Sequence, residues 1–362
     1  MTRLLAALAM LVSFSVGAFA QGRSVNVYNW TDYIDPRVLE EFQAETGIRV
    51  VYDVYDKNET LEAKLLAGAS GYDVVVPSAS FLQRYVQAGL LRRLDRGKLP
   101  NWRNLWPEVM GRLAAYDPGN AHAALYMWGT TGFGLNLRKV RERLGPDQPL
   151  NTLDLLMRPE IAAKLKDCGV YVLDAAEDVL PVALHWLKLP ADSRKPEDLQ
   201  RAGTALARVR ENVRKFHSSE YINALASGDI CMTYGYSGDV LQAKRRAEEA
   251  GNGVEIAYVV PREGALMWFD SFAIPVESKN VDEAHAFIDF MLRPDIAARN
   301  TNLVRFASGN LAAKARVAPE IANDPGVYPD EATTQRLFTN APYDDRTQRV
   351  VTRLWTRVVT GR

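Results

Sequence analysis

Tyr72-Asp73-Val74-Val75-Val76-Pro77-Ser78-Ala79-Ser80-Phe81 is the stretch that decides the fold. The short apolar run Val74–Val76 is the mark of a strand buried on both faces, as in a sheet covered by helices on each side. The turn Pro77-Ser78-Ala79-Ser80 leads from that strand to a helix beginning near Phe81. Its hydroxyls and backbone amides therefore fall at the carboxyl end of a strand, where open α/β sheets hold ligands. Upstream, Ser24–Tyr28 reads as a strand, Pro36–Glu45 as a helix with proline near its start, Arg49–Tyr55 as a second strand and Glu59–Ala67 as a second helix. Repeated strand-then-helix units predict an α/β fold with helices packed on sheets.

Downstream the style recurs without sequence repetition. Ala202, Leu206, Val209 and Val213 make a helical stripe and Asp229–Tyr234 a strand, which predicts a second lobe. Strand-like Met267–Ile274 is followed by Ala284, Phe287, Ile288, Met291 and Leu292 on one helical face, a return to the first lobe. Gly129, Gly132 and Gly134, interleaved with Thr130 and Thr131, are expected to form the first crossing between lobes. A phosphate loop is the rival reading of these glycines, but the spacing is G-x-x-G-x-G and no lysine follows.

The chain opens with Met1-Thr2-Arg3, an apolar run from Leu4 to Val16 and the small-x-small site Ala18-Phe19-Ala20, so residues 1–20 are expected to be a signal peptide. That run is short for a membrane span of about 20 residues. The expected product is a soluble exported protein starting near Gln21. With 362 residues, 47% hydrophobic and 24% charged, the chain is long enough for two domains. Its formal net charge is zero, so no global field recruits nucleic acid or an anionic membrane. In an oxidising compartment the two cysteines, Cys168 and Cys231, point by default to a single disulfide closing a long loop, worth about 2–4 kcal/mol. Two buried free thiols remain the alternative.

Three aromatic–carboxylate pairs stand at or near strand ends: Trp30-Thr31-Asp32-Tyr33, Tyr236 with Asp239, and Trp268 with Asp270. Aromatic faces attract ammonium groups and carboxylates neutralise them. A carboxylate beside core aromatics needs a cation, a hydrogen-bond network or water. The combination suits a pocket for an organic cation.

The ordered segments Tyr28-Asn29-Trp30-Thr31-Asp32-Tyr33-Ile34, Glu45-Thr46-Gly47-Ile48, Asn58-Glu59-Thr60, Asp73–Ser78, Tyr126-Met127-Trp128, Phe216-His217-Ser218-Ser219, Gly228-Asp229-Ile230-Cys231 and Leu292-Arg293-Pro294-Asp295 extend across the mature chain. In these the sequence resembles the periplasmic polyamine-binding proteins, substrate-binding components of ABC transporters. The resemblance implies a two-lobed periplasmic-binding-protein fold of type II with two hinge crossings, the ligand in the cleft between lobes. It places residues 21–127 and 262–305 in lobe 1 and 128–261 and 306–362 in lobe 2. It implies aromatic walls from Trp30, Tyr33, Tyr236, Trp268 and Phe306, ammonium-binding acids at Asp32, Asp239 and Asp270, and Asp178 near the far end. Thr31, Ser78 and Ser219 would add hydrogen bonds. Cys168 and Cys231 fall where the putrescine-binding branch has its disulfide pair.

The sequence departs from the putrescine pattern at Tyr236, Phe306 and Asp178, where Trp, Tyr and Glu are usual. Thr31 and Trp268 resemble the spermidine-binding branch, Ser80 and Ala175 the putrescine branch. The function implied is capture of a polyamine, putrescine first and spermidine or agmatine as alternatives, by a monomer that needs no cofactor and delivers its ligand to an inner-membrane permease. A sensor of the same fold is a further alternative. An exported enzyme is the reading from another class. Against it, His122, His185, His217 and His285 lack H-E-x-x-H spacing, and Gly235-Tyr236-Ser237-Gly238 falls short of a G-x-S-x-G elbow. His217 beside Ser218 and Ser219 reads as a turn bonded to its own backbone.

Overall fold

The computed structural model describes residues 22–340 and 343–362; the expected signal peptide lies outside them. Among the described residues ten strands form one sheet: β1 Ser24–Trp30, β2 Arg49–Tyr55, β3 Val74–Val75, β4 Ala123–Asn136, β5 Val170–Val172, β6 Lys215–Phe216, β7 Met232–Tyr236, β8 Ile256–Val259, β9 Met267–Ala273 and β10 Ala307–Ser308. Their order is β2-β1-β3-β9-β4-β7-β5-β6, with β8 and β10 also paired to β4.

The first units form as the sequence predicts. β1 pairs in parallel with β2, Ser24 opposite Arg49, and with β3, Val27 opposite Val74. Val74, Val75 and Val76 are fully buried, as a strand inside the sheet requires. Between β1 and β2, Asp35 caps the helix Pro36–Thr46 by accepting from the Arg37 N–H, and Pro36 occupies its first turn. Gly47 ends the helix in the left-handed conformation, φ 68°. Val38 and Phe42 carry its apolar face into the core.

β4 ties two halves of the molecule together. Its first part pairs with β9 and β10, and its second, from Thr131, with β7 and β8. Each half surrounds its own hydrophobic core. One core holds Val25, Val27, Phe42, Val74, Leu82, Leu125, Phe272 and Phe287; the other holds Phe133, Val172, Leu180, Leu206, Tyr234 and Val240. The disulfide Cys168–Cys231 lies inside the second core and closes a loop with a sequence separation of 63.

Several bounds differ from expectation. Trp30 belongs to β1 rather than to the turn after it, and the strand expected at Asp229–Tyr234 is Met232–Tyr236, with Gly228 turning the chain before it at φ 80°. The helical stripe ends at Val209, and buried Val213 follows a short 3₁₀ turn. Residues 306–337, expected in the second lobe, instead contribute Phe306, Ala307, Ala313, Val317, Tyr328 and Leu337 to the first core. They follow β10, whose pairing with the first part of β4 holds the chain on that side. The chain returns to the second core with Tyr343, Val351, Leu354, Trp355 and Val358.

Candidate functional site

A cleft of about 870 Å³, including the space at its mouth, opens between the two cores at the carboxyl ends of β1 and β3. All twelve residues singled out in the sequence line it: Trp30, Thr31, Asp32, Tyr33, Ser78, Asp178, Ser219, Tyr236, Asp239, Trp268, Asp270 and Phe306. Their depth differs. Asp270 on β9 is buried, whereas Thr31 and Asp32 stand exposed at the mouth.

Asp270 is held from both sides. Ser78 Oγ donates to its Oδ1 at 2.6 Å and Tyr33 Oη to its Oδ2 at 2.8 Å. Asp239 accepts from Tyr221 Oη at 2.6 Å, and that oxygen in turn accepts the Tyr236 N–H at 3.1 Å. Asp178, in the first turn of the helix Ala176–Trp186, accepts from Tyr236 Oη at 2.6 Å. These hydroxyls fix the carboxylates without neutralising them. Burial pushes Asp270 and Asp239 up to about 7 and Asp178 up to about 6. The tyrosine and serine hydrogen bonds oppose that rise; the neighbouring charges of Asp178, Asp32 and Glu59, respectively, add to it. Asp32 adopts φ 55°, a left-handed conformation that Asp tolerates, and meets Arg246 Nη2 at 3.3 Å.

The aromatic side chains form a continuous edge-to-face row. Tyr236 meets Trp268 at 5.7 Å, Trp268 meets Phe306 at 5.1 Å and Phe306 meets Tyr33 at 5.3 Å between ring centroids. Trp30 stands apart, its Nε1 donating to the Val76 carbonyl at 2.8 Å and its ring 4.5 Å from that of Tyr55. Two glycines make room for this row. A Cβ on Gly129 would lie 2.5 Å from Trp268, and one on Gly238 would lie 2.6 Å from the Phe306 ring. Ser219 is placed by its neighbour: the N–H groups of Ser219 and Glu220 both donate to His217 Nδ1 at 3.1 Å, the backbone-bonded turn expected there.

Six carboxylates line the cleft, Asp32, Asp56, Glu177, Asp178, Asp239 and Asp270, and no Lys, Arg or His among the described residues joins them. The lining thus favours an elongated cation: the aromatic row ends at Tyr33, bonded to Asp270, and at Tyr236, bonded to Asp178. Among the described residues no three His, Cys, Asp or Glu side chains converge as metal ligands. Sequence reasoning missed Asn58, Tyr116, Glu177 and Asn340 in the lining and Tyr221 behind it. Glu177 could have been found as the acid adjoining Asp178. Asn340 reaches the cleft from a distant loop, its Nδ2 donating to the Glu177 carbonyl at 3.0 Å, and no local pattern signals that.

The family model for bacterial extracellular solute-binding proteins matches residues 37–329. The chain is 49% identical over 358 residues to the putrescine-binding periplasmic protein SpuD of Pseudomonas aeruginosa, with 98% of each covered. It is 47% identical over 354 residues to the putrescine-binding periplasmic protein PotF of Escherichia coli, covering 97% of this chain and 96% of that protein. Its structure is similar to that of the spermidine/putrescine ABC transporter substrate-binding protein PotD of Streptococcus pneumoniae, with a TM-score of 0.77 and 30% identity over 93% of this chain and 98% of that one. These relatives are binding proteins, not enzymes. By the extent of the family match and the shared two-lobed α/β architecture around a central cleft, the chain belongs to the bacterial extracellular solute-binding protein family.

Proposed function

We propose that this protein captures a polyamine, putrescine first, in the periplasm and delivers it to an ABC permease of the inner membrane. The observation that carries the reading is the row Tyr236–Trp268–Phe306–Tyr33 with Asp270, Asp239 and Asp178 fixed around it. An apolar slot with acids toward its ends matches a chain of methylenes with an ammonium at each end. Burying the four methylenes of putrescine contributes on the order of 3 kcal/mol at about 0.8 per methylene. Charge-assisted hydrogen bonds add roughly 1.5–3 kcal/mol each, offset by desolvation and by ordering of the lobes. A micromolar or tighter complex, near about −8 kcal/mol, follows. The names of the relatives from Pseudomonas aeruginosa and Escherichia coli support the same ligand.

In this reading the twelve cleft residues named from the sequence contact the ligand, the protein works as a monomer, and residues 1–20 are removed on export. The first lobe comprises 21–127 and 262–337, and the second comprises 128–261 and 338–362, a boundary revised by the packing of 306–337. Spermidine is the second reading, favoured by six carboxylates in the lining against the two charges of a diamine.

Asp270→Asn tests the site. It keeps the shape and removes the charge, so putrescine affinity is expected to fall more than about tenfold, one lost charge-assisted bond at roughly 1.5–3 kcal/mol. Wild-type affinity in that variant removes Asp270 from the site.

A further inference from the structure

The helix Asp345–Thr360 buries Val351, Leu354, Trp355 and Val358 in the second core. Its opposite side presents Arg346, Arg349, Arg353 and Arg357, all exposed. At about 100° per residue the four fall within an arc of about 80° and run along about 16 Å of helix. Among the described residues no ion pair engages any of them, whereas other surface arginines meet an acid one turn away: Arg138 with Glu142, Arg158 with Asp154 and Arg245 with Glu249. Along this helix Arg349, Arg353 and Arg357 follow one another at one-turn intervals, like-charge neighbours that weaken a helix rather than supporting it, and the one acid at that spacing is Asp345 before Arg349. The acids of the segment, Asp344 and Asp345, stand at its start, and Asp344 accepts the Thr347 N–H at 2.7 Å as the helix cap. The ion pairs among the described residues make no use of the row, which leaves its charge open to an anion outside the molecule.

The character of that anion follows from what accompanies the arginines. Protein interfaces are anchored by apolar and aromatic side chains at their centre. The large hydrophobic side chains exposed among the described residues, Val54, Leu66, Val276 and Leu311, all lie on other elements. The outer face of this helix carries exposed Thr352, Thr356 and Thr360 beside its guanidinium groups. A guanidinium offers paired donors that match phosphate oxygens, and a row of them without an apolar wedge suits a flat array of phosphates at a water boundary. We propose that the outer face of the helix Asp345–Thr360 is a peripheral, salt-sensitive contact for a phospholipid surface with anionic headgroups. None of the four arginines lines the cleft, so the contact leaves ligand capture free while holding the protein near a membrane.

Vesicle flotation of the purified protein tests this. Wild-type protein is expected to float with phosphatidylglycerol-containing vesicles at low ionic strength, to be released by salt, and to ignore pure phosphatidylcholine vesicles. R349Q/R353Q/R357Q is expected to lower the bound fraction more than about tenfold, at roughly a factor of five for each cation near an anionic surface. Its melting temperature and putrescine titration are expected to stay unchanged, and R349K/R353K/R357K is expected to retain vesicle binding. Equal partition onto both vesicle types, no flotation with either, or undiminished binding in the glutamine variant overturns the proposal; no flotation with either would leave the row to an acidic protein.

Discussion

Asp270 and Asp239 at about 7 and Asp178 at about 6 are raised above an ordinary carboxylate chiefly by burial in the cleft. A carboxyl whose pKa is higher folded than unfolded binds its proton more tightly in the folded state. Its contribution to stability is complete below about pH 4, the unfolded value, and is lost as pH rises through 6 to 7. A bound ammonium reverses that balance by favouring the charged form. Putrescine amines, with pKa values of roughly 10 like lysine, stay charged throughout this window. Putrescine is therefore expected to bind more than about tenfold more weakly at pH 5.5 than at pH 7.5, since each unit of pKa is worth about 1.4 kcal/mol. Binding near pH 6.5 is expected to release protons, seen as a buffer-dependent enthalpy. Affinity flat across this range would show that the buried carboxylates are already charged without ligand. At this scale the sequence was informative where chemistry is local. Trp30, Asp32, Tyr236, Asp239, Trp268 and Asp270 could be named as aromatic–acid pairs, whereas Asp178 and Phe306 emerged only through resemblance because their partners lie far along the chain, and Ser219 only through resemblance because its local turn with His217 says nothing of the cleft.

β4 carries its glycines for steric reasons, not for flexibility: Gly129, Gly132 and Gly134 each have a neighbour within 2.7 Å of where a Cβ would stand. At Gly129 that neighbour is the Trp268 indole, with Ser237 Oγ at 3.0 Å. Gly129→Ala is expected to push Trp268 out of the aromatic row and cost about 1–3 kcal/mol of stability, as overpacking does. A lower melting temperature, altered tryptophan fluorescence and weaker putrescine binding are the expected results. An unchanged spectrum and affinity would mean that the indole has room to adjust. Elements with a strong local signal were legible in the sequence: the valine strand β3, the capped helix Pro36–Thr46 and the helix Val281–Met291. The strands β6 and β10 were not: unlike β3, which sits in the apolar run Val74–Val76, Lys215–Phe216 and Ala307–Ser308 carry no apolar run and form where longer strands offer them an edge. The packing of 306–337 on the first core has the same origin. β10 decides which core the chain rejoins, and its signal is tertiary.

At the scale of the molecule, two ion pairs among the described residues bridge the lobes beside the cleft, Lys57–Asp174 at 2.5 Å and Arg246–Asp32 at 3.3 Å. Both are partly exposed, and such pairs contribute about 0–1 kcal/mol. They can align the lobes but cannot supply the free energy of capture, which must come from the ligand between them. The central claim is thus that a polyamine fills the acidic, aromatic cleft. Calorimetric titration of protein refolded to strip carried ligand, with putrescine, spermidine, agmatine and arginine, tests it most directly. The account predicts saturable one-to-one binding of a polyamine, tighter than arginine, at micromolar affinity or better. Heats indistinguishable from dilution for all four would contradict it, leaving the solute-binding fold with a different ligand.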